Sequence, residues 1–323
     1  MADAPRTTLG TSDVEIFPLN LGGNVFGWTA DEKASFEVLD AYVEAGGNFV
    51  DTADVYSAFA PGNVGGESET IIGKWMKARG NRADMVIATK VGMLAGYEGT
   101  SRETVRKAVD ESLRRLDTDY IDLYYAHRDF TDRPVEEAVE ALNEQVELGK
   151  VRLTGASNFS GQRLEQALRF AESENLAKYA AIQNHYSLVE RADVEAGTPT
   201  VASVALSEGV SVLPYFSLAS GFLTGKYRDG VEVDSQRAGS ASKYLDDRGR
   251  AVLAALDEVA AAHSTSVTAV SLAWLLAQES VAAPIASART TQQLPDLIAA
   301  VGLVLTGDEV AALSAASGAP VAA

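Results

Sequence analysis

The chain has 323 residues, 46% of them hydrophobic and 22% charged, which is the composition of a globular protein with a sizeable core. Its 27 basic and 45 acidic residues give a formal net charge of −18, which argues against nucleic acid and anionic membranes as partners. The lack of cysteine excludes disulfides, thiolate metal sites and cysteine nucleophiles. Without a long apolar run or an export signal, we expect a cytoplasmic protein.

Short β-rich runs alternate with amphipathic stretches along nearly the whole chain. Eight runs have the composition of strands: residues 14–21, 48–50, 85–88, 120–125, 151–153, 181–182, 210–213 and 281–285. This alternation is typical of a parallel sheet, and no linker rich in proline, glycine and serine divides the chain. We therefore predict an α/β protein of the (β/α)8 TIM-barrel type, with residues 1–323 forming a single domain.

Helical patterns and irregular loops lie between these runs. Thr100 and Glu103 have the spacing of a capping box at the start of one helix, and Pro134 suits the first turn of the next. Residues 57–66 and 228–243 follow strand ends and are rich in glycine, serine and charge, so we predict loops at the rim. The alternative fold, a doubly wound open sheet, needs a glycine fingerprint after its first strand. The run Leu21-Gly-Gly-Asn24 supplies only part of one.

Polar side chains close most of the predicted strands. They are Asp51, Lys90, His127, Ser157, Asn158, Gln183, Asn184, Tyr215, Ser217, Ser287 and Arg289. In a barrel the carboxyl ends of the strands share one face, where active sites gather. We therefore expect these groups to line a single cleft.

Three chemistries could use this set. A metal-assisted hydrolase is disfavoured because the chain has three histidines, His127, His185 and His263, in no metal-binding spacing, so we expect no metal. A Schiff-base aldolase would need Lys90 as a neutral amine, whereas an ion pair with Asp51 would keep it charged.

Proton donation by a tyrosine fits best. The ordinary phenol pKa of about 10 is too high for ready proton transfer near neutrality. Lys90 beside Tyr56 would lower that pKa, Asp51 would hold Lys90 in place, and His127 would orient a substrate carbonyl.

The segments Asp51-Thr-Ala-Asp-Val-Tyr56, Ala88-Thr-Lys90 and Asp122-Leu-Tyr-Tyr-Ala-His127 resemble those that carry the catalytic tetrad of the aldo-keto reductases. The resemblance continues through Gly155-Ala-Ser-Asn-Phe159, the block over residues 214–227 and Ile285-Ala-Ser-Ala-Arg289, and so covers nearly the whole chain. The run Gly66-Glu-Ser-Glu69 is similar to the bacterial and potassium-channel-β-subunit-like branch.

This resemblance implies a (β/α)8 barrel without a Rossmann domain, which transfers hydride from NADPH to an aldehyde or ketone. Asp51, Tyr56, Lys90 and His127 would be the tetrad, with Tyr56 as the general acid in reduction. The substrate would be a small-molecule carbonyl. The branch also suggests an alternative, a nucleotide-sensing or partner-binding subunit with slow or no turnover.

The cofactor residues are likewise implied by the resemblance. Ser157, Asn158 and Gln183 would bind the nicotinamide carboxamide, Tyr215 would stack on its ring, and residues 217–225 would hold the pyrophosphate. The residues expected around the phosphates and the adenosine are Ser217, Leu218, Gly221, Lys226, Ser287, Arg289 and Gln293. Arg289 could bind the 2′-phosphate or stack on adenine, while Leu297 replaces an asparagine that commonly contacts adenine. We expect NADPH, with NADH possible.

Four aromatic residues lie in loops just past the predicted strand ends. They are Phe26, Trp28, Tyr97 and Phe130. They could line an apolar substrate pocket or pack the loops. The sequence does not indicate an oligomeric state.

Overall fold

The computed structural model describes residues 4–234 and 238–319, in which a small hairpin precedes a large parallel sheet. The hairpin pairs β1 (Thr7–Thr8) with β2 (Glu15–Ile16). The large sheet comprises β3 (Asn20–Gly22), β4 (Phe49–Asp51), β5 (Val86–Val91), β6 (Ile121–Ala126), β7 (Val151–Ser157), β8 (Tyr179–Gln183), β9 (Ser211–Val212) and β10 (Ile285–Ala286). Its spatial order is β10-β3-β4-β5-β6-β7-β8-β9, with every pairing parallel.

The sheet curls until its two outer strands meet. Ala282 N donates to Val212 O at 3.1 Å, and Ile285 N donates to Pro214 O at 2.8 Å. These backbone hydrogen bonds join the chain around β9 to the chain that leads into β10. The carboxyl ends of all eight strands consequently face one common space.

Helices follow most of the strands and cover the outer face of the sheet. They are α1 (Glu32–Glu44), α2 (Glu67–Arg79), α3 (Arg102–Leu116), α4 (Val135–Glu147), α5 (Gly161–Ser173), α6 (Ala192–Glu195), α7 (Val201–Glu208), α8 (Ala238–Ser242), α9 (Asp247–Ala262), α10 (Val267–Leu276), α11 (Leu294–Ala299) and α12 (Gly307–Ser317). Short 3-10 segments occupy Arg82–Asp84, Ala219–Thr224, Thr291–Gln293 and Ala300–Gly302.

Strand alternation divides the apolar side chains into two cores. Val86 and Ala88 of β5 belong to a cluster inside the curled sheet, whereas Ile87 and Val91 pack outward against the helices. Because side chains two apart share a face, the next inward position on β5 after Ala88 is Lys90. The strand period therefore places a charged side chain at the carboxyl end of an otherwise apolar interior.

The hairpin closes the opposite end of the interior. Leu9, Val14 and Ile16 join the inner cluster, and Gly10 N donates to Ser211 Oγ at the start of β9. The predicted strand over residues 14–21 is therefore split between the hairpin and β3. The predicted strand over residues 281–285 is also corrected, because β10 begins only at its last residue.

Two helix starts differ from the predicted ones. The capping box of Thr100 and Glu103 is wrong, because Ser101 caps α3 by accepting a hydrogen bond from Thr104 N, while Glu103 pairs with Lys107. Pro134 takes the N-cap position immediately before α4 rather than its first turn.

Of the two predicted rim loops, residues 57–66 form turns. The other, over residues 228–243, contains α8, and its residues 235–237 lie outside the described residues. Within the described ranges, no single helix combines the length and apolarity needed to cross a bilayer; α9 and α10 pass that test only as a pair bent by 97°.

Gly73 provides a test of the packing between α2 and α3. A Cβ at this position would lie 2.4 Å from Arg115 O and within 2.8 Å of the Leu116 backbone, which cannot move aside as a side chain could. We expect Gly73→Ala to destabilise the fold by about 1–3 kcal/mol, because overpacking outweighs the better helix propensity of alanine. Urea unfolding would measure this. Gly302→Ala, with open space around its Cβ, serves as the control, and equal effects of both substitutions would contradict close packing at Gly73.

Candidate active site

A cavity of about 600 Å³ opens at the carboxyl ends of the strands. Its lining includes every residue of the predicted tetrad and cofactor set except Lys90: Asp51, Tyr56, His127, Ser157, Asn158, Gln183, Tyr215, Ser217, Leu218, Gly221, Lys226, Ser287, Arg289 and Gln293. Asn184, which was also expected in the cleft, does not line it; it is 3% exposed, and its side chain accepts from Asn158 N and donates to Phe159 O. Lys90 lies behind this surface and is 0% exposed. The strand ends thus gather the nominated residues in one place.

The ammonium group of Lys90 is fully hydrogen-bonded despite its burial. Its Nζ donates to Asp51 Oδ2 at 2.7 Å, to Thr52 O at 2.7 Å and to Tyr56 Oη at 2.8 Å. Three acceptors match the three hydrogens of an ammonium, and Asp51 supplies the opposite charge at 1% exposure. Such pairing is what makes a buried charge tolerable.

The hydroxyl of Tyr56 is hydrogen-bonded to both the lysine and the carboxylate. Its Oη accepts from Lys90 and lies 3.2 Å from Asp51 Oδ2, to which it donates. Burial raises the pKa of Tyr56 well above its usual value, and the charge of Asp51 raises it further. The expectation that Lys90 gives this tyrosine a lowered pKa is therefore wrong, because desolvation and the carboxylate dominate. The phenol is held in its protonated form.

His127 follows β6 at the same end of the sheet. Its backbone N–H donates to Val91 O at 3.0 Å, and its ring centroid lies 6.0 Å from that of Tyr56. Burial, reinforced by the nearby charge of Lys90, holds the pKa of His127 well below its usual value. The imidazole is therefore neutral near pH 7 and can donate a hydrogen bond without carrying charge.

The ends of β7 and β8 are joined by hydrogen bonds that also reach Asp51. Ser157 Oγ donates to Gln183 O at 2.8 Å. The side-chain amide of Gln183 donates from Nε2 to Asp51 Oδ1, also at 2.8 Å. Both oxygens of the Asp51 carboxylate are consequently occupied.

Asn158 connects Tyr215 to the histidine segment. Tyr215 Oη donates to Asn158 Oδ1 at 2.7 Å, and Asn158 Nδ2 donates to His127 O at 3.0 Å. The ring of Tyr215 stacks on His185 with centroids 5.4 Å apart and planes inclined by 19°. Tyr215 is thus held by its hydroxyl and against one face of its ring, in the orientation of a flat platform.

The chain after β9 turns sharply beside the cavity. Ser217 Oγ donates to Pro214 O, which fixes the start of the turn. Ala219, Ser220 and Gly221 then follow with φ of 48°, 58° and 94°, all in the left-handed region. Two N–H groups of this run are used within the turn, since Ala219 N donates to Phe216 O at 2.7 Å and Gly221 N donates to Leu218 O at 2.8 Å.

Two cationic side chains from the later part of the chain, Lys226 and Arg289, line the cavity. A Cβ at Gly221 would be 3.5 Å from Lys226 Nζ, so this ammonium lies directly beside the turn. Arg289 follows β10, and its backbone N–H donates to Gln293 Oε1 at 2.7 Å. Leu297, in contrast, is 3% exposed and packs in the outer core. Among the described residues that line the cavity, Asp51 is the only acid.

Apolar side chains form the wall of the cavity near Tyr56. Trp28 packs edge-to-face on Phe59 with centroids 4.8 Å apart, and Met93 and Phe216 line the same space. Phe59 is 62% exposed and Phe216 47% exposed, which is unusual for rings of this size. Of the four aromatic residues considered from the sequence, only Trp28 lines the cavity. Phe26 is fully buried in the outer core.

A second buried acidic cluster lies behind the tetrad residues and was not singled out from the sequence. Asp54 is 0% exposed, and neither of its carboxyl oxygens has a hydrogen-bond partner among the described residues. Glu69 is equally buried and accepts hydrogen bonds from Thr89 Oγ1 and Arg115 Nε, both at 2.6 Å. Burial raises the pKa of Asp54 to about 8, and the Glu69 charge adds to this. The available signal was the place of Asp54 in the segment Asp51–Tyr56; Glu69 stands in the polar run Glu67-Ser-Glu-Thr70 and had no such signal.

Asp54→Asn tests the raised pKa. The unfolded chain releases this proton near the ordinary value of 3.8, whereas the folded protein keeps it up to about 8, so the wild type loses stability as pH rises through this window. The neutral variant escapes that loss. We expect the difference in unfolding free energy, variant minus wild type, to increase by about 1.4 kcal/mol per pH unit between about pH 5 and pH 8. Denaturant titrations across this range measure it, and a difference independent of pH would refute the raised pKa.

Comparisons with known proteins agree with this arrangement. Residues 18–317 match the aldo/keto reductase family. The chain is 32% identical to norsolorinic acid reductase of Aspergillus flavus over 96% of this chain and 81% of that protein. It is 34% identical to the uncharacterised oxidoreductase YrpG of Bacillus subtilis, over 93% of this chain and 91% of YrpG. It is 30% identical to aryl-alcohol dehydrogenase GME11368 of Pestalotiopsis microspora, over 95% of this chain and 82% of that protein.

The match and these identities extend over nearly the whole chain, so they confirm the family that the motifs indicated. The chain belongs to the aldo/keto reductase family and is an NAD(P)H-dependent carbonyl reductase.

Proposed function

We propose that this enzyme reduces an apolar, preferably aromatic, aldehyde or ketone with NADPH, and that Tyr56 protonates the carbonyl oxygen. The observation that carries the proposal is the position of Tyr56 Oη. It lies 2.8 Å from Lys90 Nζ and 3.2 Å from Asp51 Oδ2, beside the cavity that also contains His127. When bound, the dihydronicotinamide supplies a hydride to the carbonyl carbon.

The residues divide the proton chemistry between them. Tyr56 keeps its proton in the free site, because burial and Asp51 raise its pKa, and releases it when negative charge develops on the carbonyl oxygen. The phenolate left behind faces the Lys90 ammonium, which donates a hydrogen bond to it. His127, neutral because its pKa is lowered, donates a second hydrogen bond to the carbonyl oxygen and fixes its direction.

The cavity has the donor set that an anionic dinucleotide requires. Tyr215 offers a flat ring for the nicotinamide, with Ser157, Asn158 and Gln183 beside it. The left-handed turn that includes Gly221 would hold the pyrophosphate, together with Ser217, Leu218 and Lys226. Ser287, Arg289 and Gln293 would contact the adenosine, and Arg289 would bind the 2′-phosphate. Because the molecule is strongly acidic overall, these local donors decide where the anion binds.

The substrate wall supports an apolar carbonyl compound. Phe59, Met93 and Phe216 offer ring and thioether surface, and Trp28 adds an indole ring with a single N–H donor. Two of the relatives are named for reduction of norsolorinic acid and for dehydrogenation of aryl alcohols. The wall and the aryl-alcohol dehydrogenase among the relatives favour an aromatic substrate.

The remaining proposals concern the whole molecule. The hydrogen bonds between the outer strands support a closed (β/α)8 barrel. We further propose that residues 1–323 form a single domain and that the protein is cytoplasmic. The alternative of a nucleotide-sensing or partner-binding subunit has no specific support among the described residues. We therefore retain the reductase.

Tyr56→Phe tests the proton donor. With nitrobenzaldehyde, and with butanal for comparison, we expect the wild type to oxidise NADPH and the variant to lose about 100-fold or more of kcat. NADPH affinity, measured by quenching of protein fluorescence, should change little, because the phenol oxygen is hydrogen-bonded to Lys90 and Asp51. Tyr97→Phe, outside the cavity lining, is the matched control. Wild-type turnover by Tyr56→Phe would assign the acid to another residue.

Arg289→Ala tests nucleotide selection. Loss of a charge-assisted contact to the 2′-phosphate should weaken NADPH binding by about tenfold or more and leave NADH binding nearly unchanged. Arg169→Ala is the control, since Arg169 pairs with Glu165 on the outer surface of α5. Equal weakening of both nucleotides would mean that Arg289 reads the adenine and not the phosphate.

A further inference from the structure

The second oxygen of Asp51 is held by a group from across the interior of the sheet. Gln183 Nε2 donates to Asp51 Oδ1 at 2.8 Å, while Oδ2 receives Lys90 and Tyr56. Gln183 ends β8, and three strands separate β8 from β4 in the sheet. The contact therefore joins residues 132 positions apart in the chain.

Gln183 is itself fixed at both ends. Its backbone oxygen accepts from Ser157 Oγ at 2.8 Å and from Asn158 N at 3.1 Å, and it pairs with Ser157 in the parallel register of β7 and β8. Its side chain is 2% exposed. A donor braced in this way has little freedom to swing away from the carboxylate.

We propose that Gln183 is a positioning residue for the proton donor, and that its amide holds Asp51 so that the carboxylate keeps Lys90 and Tyr56 in register. This inference rests on the proposed function. Gln183 acts through Asp51 and does not itself exchange a proton.

The burial of Asp51 explains why such a residue is needed. At 1% exposure, a carboxylate oxygen without a donor would be costly, and the carboxylate would turn or draw in water to satisfy it. Any turn moves Oδ2, the oxygen on which Lys90 and Tyr56 converge. The position of the proton donor Tyr56 thus depends, through Asp51, on the neutral amide of Gln183 on the opposite side of the interior.

Positioning and cofactor binding use different atoms of Gln183. The N–H donor is committed to Asp51, whereas the amide oxygen Oε1 stays available as an acceptor for the nicotinamide carboxamide. A substitution that keeps the acceptor but removes the donor separates the two roles. Gln183→Glu does so with almost no change in shape.

A carboxyl at this position would face Asp51 at hydrogen-bond distance. Two carboxylates in one site cannot both ionise easily, so the pair formed by the introduced carboxyl and Asp51 in the variant takes up one proton as pH falls. The protonated oxygen can then replace the lost N–H donor. The titratable groups around the pair are Lys90, Tyr56, Tyr125, Tyr215, His127, Asp54 and Glu69. All seven are present in both proteins, so the ratio of their activities reports the introduced carboxyl.

The test compares kcat of Gln183→Glu and wild type between about pH 6 and pH 8, with NADPH and nitrobenzaldehyde at saturation. Near pH 8 we expect kcat of the variant to be lower by about tenfold or more, because one buried acceptor has lost its donor. Near pH 6 its kcat should approach that of the wild type. NADPH affinity, from fluorescence quenching, should stay within about threefold throughout, since this is less than the weight of one hydrogen bond.

Gln183→Met provides the second variant, because it has similar volume and neither a donor nor a titratable group. It should be slow at both ends of the pH range, without recovery. Gln166→Glu, exposed on α5, controls for added negative charge. A wild-type pH profile in Gln183→Glu, or a defect confined to NADPH affinity, would overturn the positioning role. Absence of turnover in the wild type itself would instead refute the proposed function.

Discussion

The buried ammonium of Lys90 imposes the conditions that the rest of the site satisfies. Removing such a charge from water costs several kcal/mol unless its hydrogens meet acceptors and an opposite charge lies beside it. Here the acceptors come from the end of β4 and from the turn that follows it, and the opposite charge is Asp51. One of the acceptors is Tyr56 Oη, so the arrangement that makes the lysine tolerable also fixes the phenol that we propose as the proton donor.

The same condition extends outward through the sheet. Asp51 needs a donor for its second oxygen and receives it from Gln183 on β8. That residue is braced by Ser157 on β7, whose neighbour Asn158 links Tyr215 to His127. Tyr56, the backbone of His127 and the ring of Tyr215 are therefore parts of one hydrogen-bonded network anchored on strand ends. Rigid elements of this kind hold a site more accurately than loops do.

Much of this could be predicted from the sequence, because strand alternation and the position of polar residues at strand ends are local signals. The positions of Asp51, Lys90 and His127 follow from that pattern alone. The sequence could not indicate the balance of charge around Tyr56. The sign of its pKa shift depends on burial and on the distance to Asp51, which only the assembled sheet determines.

Other features escaped prediction for similar reasons. The run over residues 14–21 has the composition of one strand, but its first part fills the end of the sheet interior and only its last part, after Pro18, becomes β3. Asp54 lies in a motif that also contains Asp51, and nothing local distinguishes a paired acid from an unpaired one. Its environment is made by Glu69 and Arg115, which arrive from α2 and α3.

The wall of the cavity is built differently from its floor. Phe59 and Phe216 lie on turns and are 62% and 47% exposed; Phe59 contacts Trp28, and Phe216 contacts His185 and Tyr215. Single substitutions at these rings can change the shape of the opening without moving Lys90 or Tyr56. Under the proposed function, selection can therefore alter the substrate range through these walls while the proton chemistry beneath them remains constant.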